Sequence, residues 1–392
     1  MNVFCALQRS LITLVITTCM LASVHGQELS FTLHEQFVIG DDAEAPAEYI
    51  FSYPQQVRTD SKGNIYVHDR RRLDVRVFDA SGRYVTTVGK RGEGPGEMRD
   101  IVGVHVDDQD RLIVADRIGR RFTIFTDMGT GFETKAIAEK RTISPEPILS
   151  LEDAFVLRYV KPIDDPEGGG GIRDDKVLHL YDTELNWLEE FAPLADIFNL
   201  DRPFLNAHSG TPLALKVATN GTDTIILAPT VYDGYIYRYT RSNDVWILER
   251  LEGGSVSGRA YIPVTKKEQE ANKDLSRSSI SISGPTGPHR ARVINWSRGV
   301  TILNTGEIVN FIHHVPLGEK VPKHTVELFD EDGTLLGYGP LQIDDTVLNG
   351  NARVKNSIEV LWKDAADRVY LRRRNERGFF VLSVAKLVIS EM

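Results

Sequence analysis

The sequence contains almost no cysteine. Its two cysteines, Cys5 and Cys19, both lie within the first 26 residues. Removal of that segment would leave a chain without a thiol, which excludes disulfide bonds and cysteine-ligated metal centres. Cys19 also does not fit a lipoprotein acceptor, because Ile16-Thr17-Thr18 precedes it in place of a leucine and small-residue run.

Long apolar runs are missing as well, with one exception near the N-terminus. Residues 11–22 carry no charge, follow the single charged residue Arg9 and precede the small residue Gly26. This order is typical of a secretory signal peptide, cleaved here after Gly26. A transmembrane anchor is the alternative, but it needs about 20 apolar residues. We therefore expect the mature chain, residues 27–392, to be secreted or periplasmic, with no membrane insertion after cleavage.

An excess of positive charge is also absent. The chain has 46 Lys and Arg residues against 55 Asp and Glu residues, so its formal net charge is −9, and loss of Arg9 with the signal peptide would make it −10. Such a surface does not attract DNA, RNA or anionic lipid strongly. We expect no nucleic-acid partner.

What the sequence does contain is an internal repeat. Residues 54–82 align with residues 101–129 at an offset of 47 residues without a gap. The matching pairs are Val57/Val104, Asp60/Asp107, Val67/Val114, Asp69-Arg70/Asp116-Arg117, Phe78/Phe125 and Gly82/Gly129. A period of about 40–50 residues indicates an array of small units that bury their apolar faces against one another.

The repeating unit is predicted to be a small sheet. Within residues 54–88, four β-rich runs are separated by turn sequences such as Ser61-Lys62-Gly63-Asn64, and later units keep this rhythm with insertions near residues 162–176 and 253–290. We therefore predict an all-β fold, a six-bladed β-propeller with four antiparallel strands per blade. Residues 29–33 alternate like a strand and are expected to complete the last blade and close the ring. An open sandwich of two sheets is the alternative, but it does not predict a 47-residue period.

One segment resembles a known repeat. The run Gly92-Glu93-Gly94-Pro95-Gly96-Glu97-Met98, followed by residues 104–107, residues 110–116 and Ile124-Phe125, is similar to NHL-type repeats, especially those of secreted bacterial six-bladed β-propeller proteins. The likeness is specific over residues 54–130. It implies a six-bladed ring with a central channel. It implies no single reaction, because such rings host ligand and protein binding as well as hydrolase and lyase chemistry.

The first strand of each predicted blade would lie innermost, so its polar residues are candidates for the lining of the channel. Arg58 and His105 occupy the same position of the repeat. An imidazole there is able to act as a base or a ligand near neutral pH. A hydrogen-bonded core histidine is the simpler interpretation, since both faces of a blade pack against neighbouring blades.

The remaining motifs favour architecture over chemistry. Gly92 to Gly96 lacks the following helix that a phosphate cradle needs, and the two Asp-Arg pairs of the repeat are typical of capped turns. His313 and His314 point to opposite faces of a strand, so they do not easily share one metal with the nearby His324. We predict no catalytic and no metal-ligating residues.

The segment 253–290 is the longest departure from the strand rhythm. Loops longer than about 15 residues in compact domains often bind ligands or partners. Arg259 and Tyr261 lie in this segment and Trp296 lies beside it, where they offer an aromatic and cationic surface. Together with Arg58 and His105, these three residues are the candidate binding residues.

The sequence favours an extracytoplasmic binding or scaffold propeller that recognises an unidentified protein or small-molecule ligand at the channel mouth, without a cofactor. The alternative is a lactonase-like hydrolase or lyase, in which a divalent cation in the channel polarises a carbonyl or activates water. That enzyme needs at least three His, Asp, Glu or Asn side chains converging in the channel. The later repeats are too diverged to assign such a set.

Overall fold

The computed structural model describes residues 27–41, 44–137, 146–159, 176–197, 215–256, 260–271, 280–284, 287–315, 322–344, 346–347 and 358–392. These residues form six antiparallel four-stranded units, which we call blades 1 to 6 in chain order. The predicted all-β propeller is confirmed. The predicted signal peptide, residues 1–26, and most of the predicted insertion at 162–176 lie outside the described residues.

The strands of the first three blades follow one another without a crossover. Blade 1 comprises Pro54–Thr59, Ile65–Asp69, Val75–Phe78 and Tyr84–Val88; blade 2 comprises Ile101–Val106, Leu112–Asp116, Arg121–Thr126 and Gly131–Ala136; blade 3 comprises Glu146–Ser150, Ala154–Arg158, Lys176–Asp182 and Trp187–Pro193.

The last three blades repeat this order, except that the N-terminal strand supplies the final position. Blade 4 comprises Leu215–Thr219, Thr224–Pro229, Tyr235–Ser242 and Val245–Glu252; blade 5 comprises Asn295–Ile302, Ile308–His314, Lys323–Phe329 and Leu335–Ile343; blade 6 comprises Glu359–Lys363, Arg368–Arg374, Phe380–Glu391 and, from the N-terminus, Gln27–Ile39.

Few other elements are described. The segment between blades 4 and 5 forms a three-stranded sheet, in the order Tyr261–Val264, Gly287–Val293, Ile280–Gly284, and a short α-helix, Lys266–Ala271. A second α-helix spans Leu194–Ile197, and 3₁₀ turns span Ala47–Tyr49 and Asp127–Gly129. The two-residue strands are Lys90–Arg91 paired with Glu97–Met98, and Thr346–Val347 paired with the last strand of blade 5.

The division of the hydrophobic core shows that the blades form a closed ring. It divides into six clusters, and each cluster is built from the facing sides of two neighbouring blades. One of them joins Tyr370 and Leu382 of blade 6 to Val57 and Phe78 of blade 1. No blade therefore buries its apolar faces alone, as the 47-residue period predicted. The open sandwich is excluded by this closed sequence of contacts.

The N-terminal strand closes the ring. Gln27–Ile39 pairs antiparallel with Phe380–Glu391, where Leu33 lies opposite Leu387, so the prediction for residues 29–33 is confirmed. The strand also pairs in parallel with Leu335–Ile343 of blade 5. Gly339 makes this second contact possible, because a Cβ at that position would overlap the carbonyl group of Leu29.

Strand direction gives the two faces of the ring different roles. We call the first strand of each blade its inner strand, because the inner strands contact one another around the axis. The face at which inner strands begin is the upper face. Because successive strands are antiparallel, the connections between blades also lie on the upper face. The sheet inserted between Glu252 and Asn295 therefore leaves and rejoins the ring there.

The repeated Asp-Arg pairs have an architectural role at the upper face. Asp69 accepts hydrogen bonds from the backbone N–H groups of Ser52 and Tyr53, at 2.5 and 3.1 Å. Asp116 accepts the equivalent bonds from Arg99 and Asp100, both at 3.0 Å. In blades 1 and 2 the carboxylate thus ties the incoming connection to the end of the second strand, as the turn interpretation predicted.

Candidate functional site

A cavity of about 340 Å³ lies on the axis of the ring. Its walls are mainly inner strands, which contribute residues from their beginnings, such as Leu215 and Glu359, to their ends, such as Thr219 and Lys363. The cavity therefore extends from the upper face into the channel. Blades 1, 3, 4, 5 and 6 contribute to this lining.

The lining is strongly positive. It contains seven Lys or Arg side chains and one carboxylate, Glu359, a formal excess of six positive charges in a chain whose net charge is −9. The positive residues are Arg58, Arg70, Arg158, Lys216, Arg298, Lys363 and Arg372. Lys363 is partly neutralised from outside the lining by Asp367, whose carboxylate lies 2.8 Å away. A low-dielectric concavity of one sign focuses its field and concentrates ligands of the opposite sign.

Glu359 lies at the centre of the upper part of this site. Its two oxygens accept hydrogen bonds from Lys216 and Arg372, and its side chain is 17% exposed. Burial by itself raises the pKa of Glu359, but Lys216, Arg372 and Arg298 together hold that pKa at about 2. Burial lowers the pKa of Lys216, and Glu359 opposes this effect. The carboxylate is therefore ionised at neutral pH and balances part of the surrounding charge.

Three of the arginines lie over aromatic rings that also line the cavity. The Arg372 Cζ atom lies 3.7 Å from the ring centre of Tyr53, Arg58 lies 4.5 Å from that of Trp362, and Arg298 lies 5.4 Å from that of Trp296. Such cation–π contacts hold a guanidinium group in place and leave its edge able to donate hydrogen bonds.

Backbone and side-chain contacts orient the same groups. Arg372 donates to the carbonyl of Pro54 at 2.8 Å, Arg58 donates to that of Val57 at 2.7 Å, and Arg158 donates to that of Leu215. Arg298 contacts His313 Nδ1 at 3.2 Å. The positive side chains are thus held in fixed positions, which reduces the conformational entropy that a ligand would otherwise have to remove.

A backbone irregularity positions Arg298. The inner strands of blades 1, 2, 3, 5 and 6 each shift register against the second strand. In blade 5 the shift lies between Ser297 and Gly299, so Arg298 is the extra residue of a β-bulge. Bulges re-aim side chains and are frequent beside functional sites. The next residue is a glycine, Gly299, because a Cβ at this position would overlap Val360 of blade 6.

The structure places the sequence-predicted binding residues in different surroundings. Arg58 and Trp296 line the cavity. His105 occupies the same repeat position as Arg58, but it lies between blades 2 and 3, hydrogen-bonded to Ser150 and in edge contact with Phe155 at 5.7 Å. The backbone of Tyr261 lies in the inserted sheet, its side chain is not described, and Arg259 lies outside the described residues.

Sequence reasoning missed Lys216, Arg298, Glu359, Arg158 and Arg372. The first three belong to inner strands, and a signal for two of them was present. Lys216 stands in Leu215-Lys216-Val217 and Glu359 in Ile358-Glu359-Val360, where a charge interrupts an apolar run. The rule that inner strands line the channel, applied to every blade, would have selected both residues. Arg158 and Arg372 carried no such signal, because they extend from second strands.

The histidines of blade 5 lie beside this site. The rings of His313 and His324 stack at 4.8 Å, and His314 lies 2.9 Å from Thr325 Oγ1. Within the described ranges, no three His, Cys, Asp or Glu side chains are arranged to hold a metal ion. The cavity lining also does not suit a divalent cation, because its one carboxylate already binds Lys216 and Arg372 and the other charged groups are positive.

The described helices give no indication of a membrane anchor. The longest α-helix among them is Lys266–Ala271, and none of the helices in the described ranges is long and apolar enough to cross a bilayer.

Comparisons with known proteins agree with the fold. Residues 44–135 match the model of the DUF5128 family, described as a 6-bladed beta-propeller, and this range includes the regular repeats. A member of the DUF4221 family from Bacteroides vulgatus has a similar structure, with a TM-score of 0.56 and 12% identity over 93% of this chain and 100% of that chain. A protein of Bacteroides fragilis thought to be exported gives a TM-score of 0.50 and 13% identity over 92% and 99% of the two chains.

At these identities the structural likeness extends to the fold alone. A comparison with curated protein sequences found no match. The matching family model, the similar solved structures and the closed ring of six blades together identify the chain as a six-bladed β-propeller.

Proposed function

We propose that this propeller is a binding protein that takes an anionic ligand, or an anionic group of a partner, at the upper mouth of its central channel. The observation that carries this proposal is the lining itself, with seven positive side chains around a single carboxylate in a cavity of about 340 Å³. Arginine pairs with carboxylate, phosphate and sulfate through planar, charge-assisted hydrogen bonds.

The charge of the site contrasts with that of the whole molecule. A chain of net charge −9 has no general attraction for anions, so selection of an anion depends on the concentration of positive groups in one concavity. Burying such groups costs free energy unless they find partners. Glu359 offsets part of that cost, and a bound anion would offset more. The arrangement therefore favours a ligand with more than one negative charge.

The metal-assisted hydrolase is less well supported by the same residues. A divalent cation would experience the field of Arg298, Arg372 and Lys216 at close range, and Glu359 is already bound by the last two. We derive no catalytic step for this site. The secreted or periplasmic location remains a proposal that rests on residues 1–26 of the sequence.

The proposal is tested by titrating the purified protein with inorganic phosphate, sulfate and citrate in a calorimeter at low ionic strength. We expect binding that weakens as sodium chloride is added, because salt screens the attraction. Citrate should bind most tightly, since it carries the most negative charge of the three anions. The variant Arg298→Met should lose about tenfold or more in affinity, which is the effect of one charge-assisted hydrogen bond of about 1.5–3 kcal/mol.

The matched control is Arg83→Met. Arg83 pairs with Asp79 in a turn and its side chain is 82% exposed, so its loss changes the net charge equally but leaves the channel intact. The control should bind all three anions as the wild type does. Equal loss of affinity in the two variants, or no binding of any of the three anions, would overturn the proposal.

A further inference from the structure

The positive groups of the channel lie at two depths. Arg372 is held by the carbonyl of Pro54 and Arg58 by the carbonyl of Val57, and both carbonyls belong to the inner strand of blade 1. Three residues along a strand correspond to about 10 Å. Arg372 is therefore anchored at the beginning of this strand, and Arg58 is anchored three residues further towards its lower end.

The upper positive groups act together. Lys216, Arg372 and Arg298 all lower the pKa of Glu359, against the effect of burial. Burial lowers the pKa of both Lys216 and Arg298, and Arg372 lowers each further. Burial raises the pKa of Tyr53 at the rim, and Arg372 and Arg70 both oppose this rise. We call Arg70, Arg158, Lys216, Arg298 and Arg372 the upper cation cluster.

Arg58 lies apart from this cluster. Burial lowers its pKa to about 9, so it stays positively charged at neutral pH. Its guanidinium group lies over Trp362, whose ring nitrogen donates to Thr59 at 3.1 Å. Arg58 and its aromatic support therefore form a second, deeper anion site towards the lower end of the inner strands.

Small and apolar side chains form part of the wall between the two depths. It includes Val217, Gly299 and Val360, which come from the inner strands of blades 4, 5 and 6. These side chains offer no hydrogen bonds to a charged group, but they accommodate a hydrocarbon chain or the apolar face of a sugar ring.

We propose that the ligand is an elongated molecule with two anionic groups at its ends, joined by a less polar spacer. The upper cation cluster binds one anionic group and Arg58 over Trp362 binds the other. This inference rests on the proposed function and adds the number and spacing of the negative charges. Linear α,ω-dicarboxylates and disaccharides of uronic acids share this chemistry.

The test compares acids of equal length that carry one or two carboxylates. Succinate, adipate, suberate and sebacate, in order of increasing length, are titrated into the purified protein beside the matching monocarboxylates. We expect the affinity to rise with length until the second carboxylate reaches Arg58. At that length the dicarboxylate should bind at least about tenfold more tightly than its monocarboxylate, the effect of one additional charge-assisted contact.

Two variants assign the ends of the ligand. Arg58→Met retains apolar contact with Trp362 but removes the charge, so it should reduce the affinity of the best dicarboxylate to nearly that of its monocarboxylate and weaken monocarboxylates much less. Arg298→Met should weaken both kinds of acid. Arg58→Lys should restore part of the difference, and thermal unfolding of each variant checks that it is folded.

The outcomes separate this inference from the proposed function. Anion binding in which dicarboxylates gain nothing over monocarboxylates, or in which Arg58→Met weakens both equally, overturns the two-depth inference and leaves the proposed function standing. Absence of binding by citrate, sulfate and every carboxylate overturns both. Digalacturonate binding supports the inference if Arg58→Met lowers the affinity for digalacturonate. The affinity for digalacturonate relative to that for the best dicarboxylate identifies the preferred spacer.

Discussion

Blades 1 and 2 share an architecture with blades 4 to 6 but differ in what their inner strands do. In the regular pair, inner-strand polar groups connect neighbouring blades. Gln56 donates to the carbonyl of Val102 and accepts from the N–H of Val104, both at 2.7 Å, and His105 bonds to Ser150 of blade 3. These residues complete the ring and leave little charge facing the channel.

In blades 4 to 6 the inner strands carry charges that face the channel. Lys216, Arg298 and Glu359 come from three different blades and converge on one cavity. The only cavity-lining cation on the inner strands of blades 1 and 2, among the described residues, is Arg58. The regular repeats therefore mainly secure the ring and contribute Arg58 and Arg70 of blade 1 to the lining, and the diverged repeats supply most of its charged groups.

The largest expected effect separates two buried carboxylates, one from each region. Asp69 is buried in blade 1, where it binds backbone N–H groups and lies 3.4 Å from Arg76. Glu359 balances the upper cation cluster. We expect Asp69→Ala and Glu359→Ala each to lower the free energy of unfolding by about 3–5 kcal/mol, because each leaves a buried positive group without its partner. Urea denaturation at neutral pH measures both losses.

Added sulfate should distinguish the two variants. In Glu359→Ala the channel gains net positive charge, so a bound sulfate replaces the missing carboxylate and restores part of the lost stability. Asp69 is buried and does not itself line the cavity, so Asp69→Ala should show only the general stabilisation that sulfate gives to folded proteins. Equal recovery in both variants would contradict the distinction between an architectural and a ligand-binding carboxylate.

The next effect is a pH dependence that originates in blade 1. His68 is 1% exposed, and burial lowers its pKa from 6.5 to about 4, although Asp69 and Asp74 oppose this and Arg76 adds to it. The unfolded chain thus binds a proton that the folded chain does not. Above pH 6.5 His68 should cost no stability. As the pH drops to about 4, the free energy of unfolding should fall by about 3 kcal/mol, since one pKa unit corresponds to about 1.4 kcal/mol.

The variant His68→Gln isolates this contribution. It removes the titrating group, so its unfolding free energy should change less than that of the wild type between pH 6.5 and 4. His34→Gln is the matched control, because the His34 side chain is 56% exposed and lies outside the core. A wild-type pH profile that His68→Gln leaves unchanged would assign the acid sensitivity to other groups.

The difference between the two regions also explains what the sequence could and could not predict. The ring followed from the match of Val57 with Val104 and Phe78 with Phe125, since these apolar positions repeat with the period of one blade. Closure by residues 29–33 followed from the alternation of Leu29, Phe31 and Leu33, which are buried on one side of the strand.

The site did not follow in the same way, because it depends on geometry between blades. Lys216 and Glu359 are hydrogen-bonded across 143 positions of sequence, and no local pattern records which inner strands face each other across the axis. The bulge at Arg298 shifts its side chain relative to a regular strand, and the ordinary alternation rule does not anticipate that shift. Arg158 and Arg372 reach the channel from second strands, which the inner-strand rule passes over.

The smallest expected effect tests one position of the regular repeat, which holds Arg58 in blade 1 and His105 in blade 2. His105→Ala removes a hydrogen bond to Ser150 and a ring contact with Phe155, so it should lower the free energy of unfolding by about 1–2 kcal/mol. It should leave citrate affinity within about twofold of the wild type, because no charge at the cavity changes. Arg58→Met should show the opposite pattern: the protein should keep its fold but bind the best dicarboxylate more weakly. If His105→Ala reduced citrate affinity tenfold, the interface between blades 2 and 3 would have to be part of the binding site, and the assignment of chemistry to the diverged repeats would fail.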